Sequence, residues 1–178
     1  LVIGHVGRFV EQKNHRFLID IFNEVHKEKE NSILMLVGQG PLMEEIKEKV
    51  KALGLEKNVM FLGQRNDVKD LYQAFDVFCL PSLYEGLPVV GVEAQATGLL
   101  CLFSDEMTKE TKILRSTQFL SLNQKASEWA KIIFDEYGLD FKKDILYIEM
   151  SKKGFNINVE ANKIEKIYIK LEHGGDKI

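Results

Sequence analysis

Two acids, Glu85 and Glu93, stand on either side of the stretch Gly86-Leu87-Pro88-Val89. A strand-like run ends near Pro81, and Pro88 suits the first turn of a helix, where a missing N–H does no harm. Backbone amides around Gly86, Leu87 and Val89 then point out of the helix start. With the helix dipole they make a place for an anion. At a rise of about 1.5 Å per residue, the two carboxylates stand too far apart to activate one water between them. Their separation is closer to the length of a nucleotide. Acids at both ends of a phosphate site suit hydroxyl recognition, a sugar on one side and a ribose on the other. The residues alone equally allow a turn acid at Glu85 and a solvated helix acid at Glu93.

A second loop, Gly7-Arg8-Phe9-Val10-Glu11-Gln12-Lys13-Asn14-His15, leaves the first strand-like run. Gly7 permits close approach of the backbone to a ligand. Arg8 and Lys13 bracket the loop with two cations, and Arg presents a fork suited to phosphate oxygens. Both are also readable as surface cations, with His15 at a helix start. A third loop, Val37-Gly38-Gln39-Gly40-Pro41, resembles half of a dinucleotide fingerprint, but Met43 stands where a third glycine belongs. Its glycines read as a tight strand-to-helix turn, with Pro41 opening the helix and Gly38 on the crevice.

The elements that must hold these loops follow from periodicity. Strand-like runs occupy Leu1–Val6, Ile33–Val37, Val59–Leu62, Val77–Leu80 and Leu99–Phe103, with a weaker one near Gln118–Leu120. Several are apolar throughout, as in parallel strands buried on both faces. Between them, Phe17, Leu18, Ile21, Phe22 and Val25 share one helical face, as do Leu42, Ile46, Val50 and Leu53. Val68, Leu71, Tyr72 and Phe75 repeat the spacing, followed by Ala126, Trp129, Ala130 and Ile133, then Ile164, Ile167, Tyr168 and Leu171. This alternation predicts an α/β fold, a doubly wound parallel sheet with helices on both faces. Ligands of such sheets bind at the carboxyl ends of the strands, where the three loops lie.

The bulk properties narrow the function further. The 178 residues suit one well-cored domain, and 24 basic against 27 acidic residues give a net charge of −3. A nucleic-acid binder would need a basic face that this balance does not suggest. Cys79 and Cys101 lie inside apolar runs and read as reduced core residues. No apolar stretch can span a bilayer and no signal peptide is evident, which points to the cytoplasm. The chain opens on Leu1-Val2-Ile3 without methionine. The expectation is the C-terminal part of a larger protein, ending in a frayed tail over His173–Ile178.

The segment Glu85–Glu93 resembles the Glu-x7-Glu motif of the group 1 (family 4) retaining glycosyltransferases of GT-B fold. Gly7-Arg8 through Lys13 resembles their diphosphate-gripping loop. The blocks Val37–Pro41, Val59–Gly63 and Asp76–Ser82 follow in the family's order. Glu93-Ala94-Gln95-Ala96 and Ser104–Glu110 are most similar to bacterial capsule and exopolysaccharide members. In one respect the loop departs from a common form: Asn14, not glycine, follows Lys13.

The resemblance implies a Rossmann-like, donor-binding domain whose acceptor-binding N-terminal partner lies outside this chain. Arg8 and Lys13 would hold the donor diphosphate, and Glu85 would contact the transferred sugar. The amides of Gly86, Leu87 and Val89 would receive the distal phosphate and Glu93 the ribose hydroxyls. The base would lie along Leu62-Gly63-Gln64-Arg65, through backbone contacts. Catalysis would come from stabilising charge on the departing diphosphate, with Glu85, Arg8 and Lys13 as its agents. The nucleotide sugar is then a substrate, and no cofactor is expected. No metal is expected either, since no Asp-x-Asp pair or His cluster is present. The acceptor would be a saccharide or a lipid-linked sugar, the latter at the inner face of the cell membrane. A nucleotide-sugar 2-epimerase of similar fold and a non-catalytic nucleotide-sugar-binding module remain open alternatives.

Overall fold

The computed structural model describes residues 1–138 and 143–174. Six strands form one sheet: β1 Val2–Val6, β2 Ile33–Val37, β3 Val59–Gly63, β4 Val77–Leu80, β5 Leu100–Ser104 and β6 Thr117–Leu120. Each lies within a residue of its expected bounds. Every pairing is parallel and the order is β3-β2-β1-β4-β5-β6. Chain order reverses between β1 and β4, so the switch point of the sheet lies there.

Alternate residues of the central strands feed different layers. On one face Val77, Cys79, Leu100 and Leu102 join helices α1 (His15–Glu28) and α2 (Met43–Ala52). Trp129, Ala130 and Ile133 of α5 (Ala126–Glu136) complete that layer. On the other face Phe78, Leu80, Cys101 and Phe103 pack with Tyr72, Phe75 and Ala94. These belong to the region of α3 (Val68–Leu71) and to α4 (Val89–Ala96). Helices therefore cover both faces, as expected. Cys79 and Cys101 are buried free thiols in different layers, and burial pushes both thiols up from their ordinary range.

Three local expectations need correction. The helical face at Val68–Phe75 is one α turn followed by a 3-10 turn at Tyr72–Ala74, after which Phe75 is extended. Pro88 caps α4 with φ −71° and ψ 118° and does not lie within its first turn. Pro41 likewise precedes α2, which opens at Met43. A helix the periodicity did not reveal, α6 (Lys143–Lys152), buries Leu146 and Met150 against Ile113 and Leu114 in a small third core. The last helix, α7, runs from Ile157 to Gly174. Residues 175–178 of the expected tail lie outside the described residues.

Candidate functional site

The loops after β1 and β4 flank the switch point, and backbone contacts tie them together. Leu83 N donates to Gln12 O at 2.8 Å, and Gln12 Nε2 donates to Tyr84 O at 3.0 Å. Across this junction Lys13 Nζ meets Glu85 Oε1 at 2.5 Å, with the two side chains only 14% and 10% exposed. Lys13 can occupy this position because Asn14 takes a left-handed conformation, φ 52°, between a 3-10 turn and α1. That backbone is the one a glycine would adopt readily, and Asn is the side chain that tolerates it best after glycine. Asn14 thus holds here the left-handed backbone that a glycine would favour.

The loop after β2 packs onto the same place backbone to backbone. Gly7 N donates to Val37 O at 2.9 Å and Phe9 N to Gln39 O at 3.0 Å. A Cβ on Gly38, where φ is 136°, would stand 2.0 Å from Gly7 O, and one on Gly40 2.4 Å from Phe9 O. Close approach between two loops, more than a tight turn, is thus what requires these glycines. Gly38 N in turn donates to Gly63 O at 2.8 Å, fastening the end of β3. Arg8 is exposed and lines a cleft of about 570 Å³ with Gly38, Gly40 and Gln64. Arg65 points its guanidinium at Asp67, Nε to Oδ1 2.7 Å, so its side chain is engaged locally, and it is its neighbour Gln64 that lines the cleft.

At the start of α4 the helix bonds begin with Gly91 N and Val92 N, both donating to Pro88 O. Among the described residues, the N–H groups of Gly86, Leu87, Val89 and Val90 have no backbone acceptor. Val90 adds one donor to the expected set. Glu85 is braced from behind: Thr108 N donates to Glu85 O at 3.3 Å, and Thr111 Oγ1 to Gly86 O at 3.4 Å. A turn further on, Glu93 is half-buried and accepts from Tyr72 Oη at 3.1 Å. Burial, aided by the Glu93 charge, pushes the Tyr72 phenol well above its ordinary range, so it stays a donor.

Several positioning residues escaped the sequence reading. Gln95 is fully buried; its Nε2 donates to Gly91 O and Thr111 O, and its Oε1 accepts from Ile113 N, Leu114 N and Thr117 Oγ1. It locks α4 to the segment that braces Glu85. A glutamine facing inward between Ala94 and Ala96 was the available signal. Below the first loop, His5 Nδ1 donates to Cys79 O at 2.9 Å, which fixes its tautomer, because a carbonyl only accepts. His15 stacks on Phe9 with centroids 4.1 Å apart and meets His5 edge-on at 4.6 Å. Burial lowers the pKa of His5 to about 4 and that of His15 to about 2, with the Lys13 charge acting in the same direction. Among the described residues, no group of three or more His, Cys, Asp or Glu is placed to hold a metal.

Sequence comparison decides the lineage. The family model described as "Glycosyl transferases group 1" matches residues 1–134. The chain belongs to the group 1 glycosyl transferases. EpsF of Bacillus subtilis, named as a glycosyltransferase, is 46% identical over 134 residues, covering 75% of this chain and 35% of that protein. An Escherichia coli UDP-Gal:alpha-D-GlcNAc-diphosphoundecaprenol alpha-1,3-galactosyltransferase is 38% identical over 107 residues, 58% of this chain and 28% of its own length. This group 1 chain thus spans about a third of these curated relatives. Among solved structures, Anabaena Alr3699/HepE in complex with UDP superposes with a TM-score of 0.77 at 21% identity, covering 94% of this chain and 48% of that one. The C-terminal domain of a group 1 protein from Francisella tularensis gives 0.68 at 18% identity, covering 85% of each chain. These two likenesses establish the Rossmann-like α/β fold.

Proposed function

We propose that this chain is the donor-binding part of a retaining glycosyltransferase that uses a nucleotide-diphosphate sugar in cell-surface polysaccharide synthesis. The observation that carries the reading is the meeting of Lys13 with Glu85 at the switch point, directly before the free amides of Gly86–Val90. A diphosphate laid on those amides would have Lys13 beside it and Arg8 across the cleft. When the anomeric C–O bond to the diphosphate breaks, negative charge grows on the leaving oxygen. Fixed N–H groups and cations then stabilise the transition state more than the ground state. Glu85, held by Lys13 and by Thr108 N, is set to orient sugar hydroxyls at the reacting end. Glu93, backed by Tyr72, is set to accept from ribose hydroxyls, with the base along Leu62–Arg65. Support also comes from the Anabaena relative of the same fold, whose structure contains UDP.

The acceptor half belongs, on this reading, to sequence outside the chain. Ile164, Ile167, Tyr168 and Leu171 of α7 are all more than half exposed, an apolar face suited to docking on that half. Named relatives act in amylovoran and capsule synthesis, and one acts on a diphosphoundecaprenol-linked sugar. A saccharide or lipid-linked acceptor at the cytoplasmic membrane face follows as the proposal for this protein. Among the described residues no helix is long and apolar enough to cross a membrane. Calorimetry with UDP, GDP and ADP tests the reading: one diphosphate should bind well above its nucleoside. Binding of none, or of nucleosides equally well, would overturn it.

A further inference from the structure

Away from the donor loops, a basin of about 560 Å³ opens between the β5–β6 connection and the end of α6. Five cations line it: Lys109, Lys112 and Arg115 from the connection, and Lys152 and Lys153 from α6; Glu149 is the one acid in its described lining. All five are exposed. Elsewhere Lys27, Lys47, Lys49 and Lys163 each hold a carboxylate. Among the described residues, none of the five does. Lys153 Nζ donates only to Lys112 O, at 3.2 Å, and Lys109 lies over the Phe119 ring at 4.3 Å. Asp105, Glu106 and Glu110 of the same connection are exposed outside the lining, so the excess of positive charge is confined to the basin, where a negative partner would neutralise it.

The character of the patch says which negative partner. Four of the five are lysines, point charges on long stems, where a discrete phosphate site would favour a rigid fork. Among the described residues the lining carries a single carboxylate, Glu149, and no Asn or Gln side chain to enclose one small anion. Directly after Lys152-Lys153, the turn into α7 exposes Phe155 to 38% and Ile157 to 78%. Cations beside an exposed aromatic and an exposed aliphatic are the elements of an interfacial membrane contact. We propose that this face is a seat for the anionic headgroups of a phospholipid bilayer. The cations would face the phosphates, with Phe155 and Ile157 at the headgroup boundary. The lysine stems suit this, since they can lie along the surface while their charges reach the phosphates.

The seat deepens the proposed function and rests on it for its purpose, bringing the domain to a lipid-linked acceptor. It lies beside the braced Glu85 turn without using it, because the same connection supplies Thr108 and Thr111 to that turn.

The test is co-sedimentation of the chain with vesicles of phosphatidylcholine alone or with about 30% phosphatidylglycerol, near −30 mV of surface potential. The chain should pellet with the anionic vesicles only, and be released by salt. Combined Lys112→Glu, Arg115→Glu and Lys152→Glu should weaken binding by at least about tenfold. Lys51→Glu, Lys57→Glu and Lys131→Glu, with the same change in net charge, should weaken it far less. Should the first variant misfold by circular dichroism, the three glutamine substitutions serve in its place, with a smaller loss in the same direction. No binding to anionic vesicles, or equal losses in both variants, would overturn the proposal. So would displacement by inorganic phosphate beyond that by chloride at equal ionic strength, the mark of a small-anion site. UDP calorimetry on the same samples separates the two readings. Vesicle binding with no UDP binding sinks the donor assignment alone, and the reverse sinks the seat alone.

Discussion

Lys13 and Glu85 lie 72 residues apart in the chain and meet at 2.5 Å over the point where the strand order reverses. The pair joins the cation of one loop to the acid of another.

Arg8→Ala should weaken UDP binding by about ten- to a hundredfold while uridine binding changes little, because an exposed guanidinium acts on phosphate alone. Isothermal titration of both ligands checks this. Equal losses would remove Arg8 from the diphosphate. Lys13→Ala should do the same and also lower stability by about 1–3 kcal/mol, since it strands a largely buried carboxylate. Lys13→Arg should restore part of both.

Glu93→Gln should abolish the preference for UDP over dUDP, and Tyr72→Phe should halve it by freeing the carboxylate to turn. The Tyr72 phenol donates to Glu93 Oε2 at 3.1 Å, so loss of the hydroxyl leaves the charge present but unguided. An undiminished preference in both variants would place the ribose elsewhere.

The glycines divide by mechanism. Gly38→Ala puts a Cβ 2.0 Å from Gly7 O at φ 136° and should destabilise the fold by more than about 3 kcal/mol in urea unfolding. A Cβ on Gly86 meets nothing within 4 Å. Gly86→Ala should therefore leave the melting temperature nearly unchanged and still weaken UDP binding, by crowding the amides. A stability loss matching that of Gly38→Ala would contradict this division.

Acid should loosen the first loop. The buried rings keep His5 neutral down to about pH 4 and His15 to about 2, against 6.5 for a free histidine. The unfolded chain takes up protons below 6.5 that the folded chain refuses, so this stability is complete above 6.5 and falls as the pH drops. Two such groups give a slope of up to about 2.7 kcal/mol per pH unit. Urea midpoints at pH 7.5, 6.5 and 5.5, above the carboxylate range, isolate the effect. His15→Phe should halve the slope, and a flat profile would refute it.

The sheet was legible in the sequence because its central strands are buried on both sides, so Val77–Leu80 and Leu100–Phe103 read as unbroken apolar runs. The loops that leave β1, β2 and β4 were legible as residue types. What the sequence hid is the contact between them. No local spacing announces that Lys13 reaches Glu85, or that Gly38 is small because Gly7 O presses on it. Those are consequences of parallel pairing between β1, β2 and β4. The helix α6 was hidden for a different reason. In the sequence its apolar residues Ile145, Leu146, Tyr147, Ile148 and Met150 run together without a clean stripe, and Ile148 is half exposed. Tyr72, in a periodic apolar set, read as core; it is core, and its hydroxyl also serves Glu93.

On the proposed function, a diphosphate sits between the first loop and the start of α4. A crystal structure of the chain with UDP tests it most directly. Phosphate oxygens should lie within hydrogen-bond reach of Arg8 and of at least two amides among Gly86, Leu87, Val89 and Val90, with ribose hydroxyls at Glu93. A nucleotide bound away from the carboxyl ends of β1 and β4, or with its phosphates turned from Arg8 and Lys13, would contradict it.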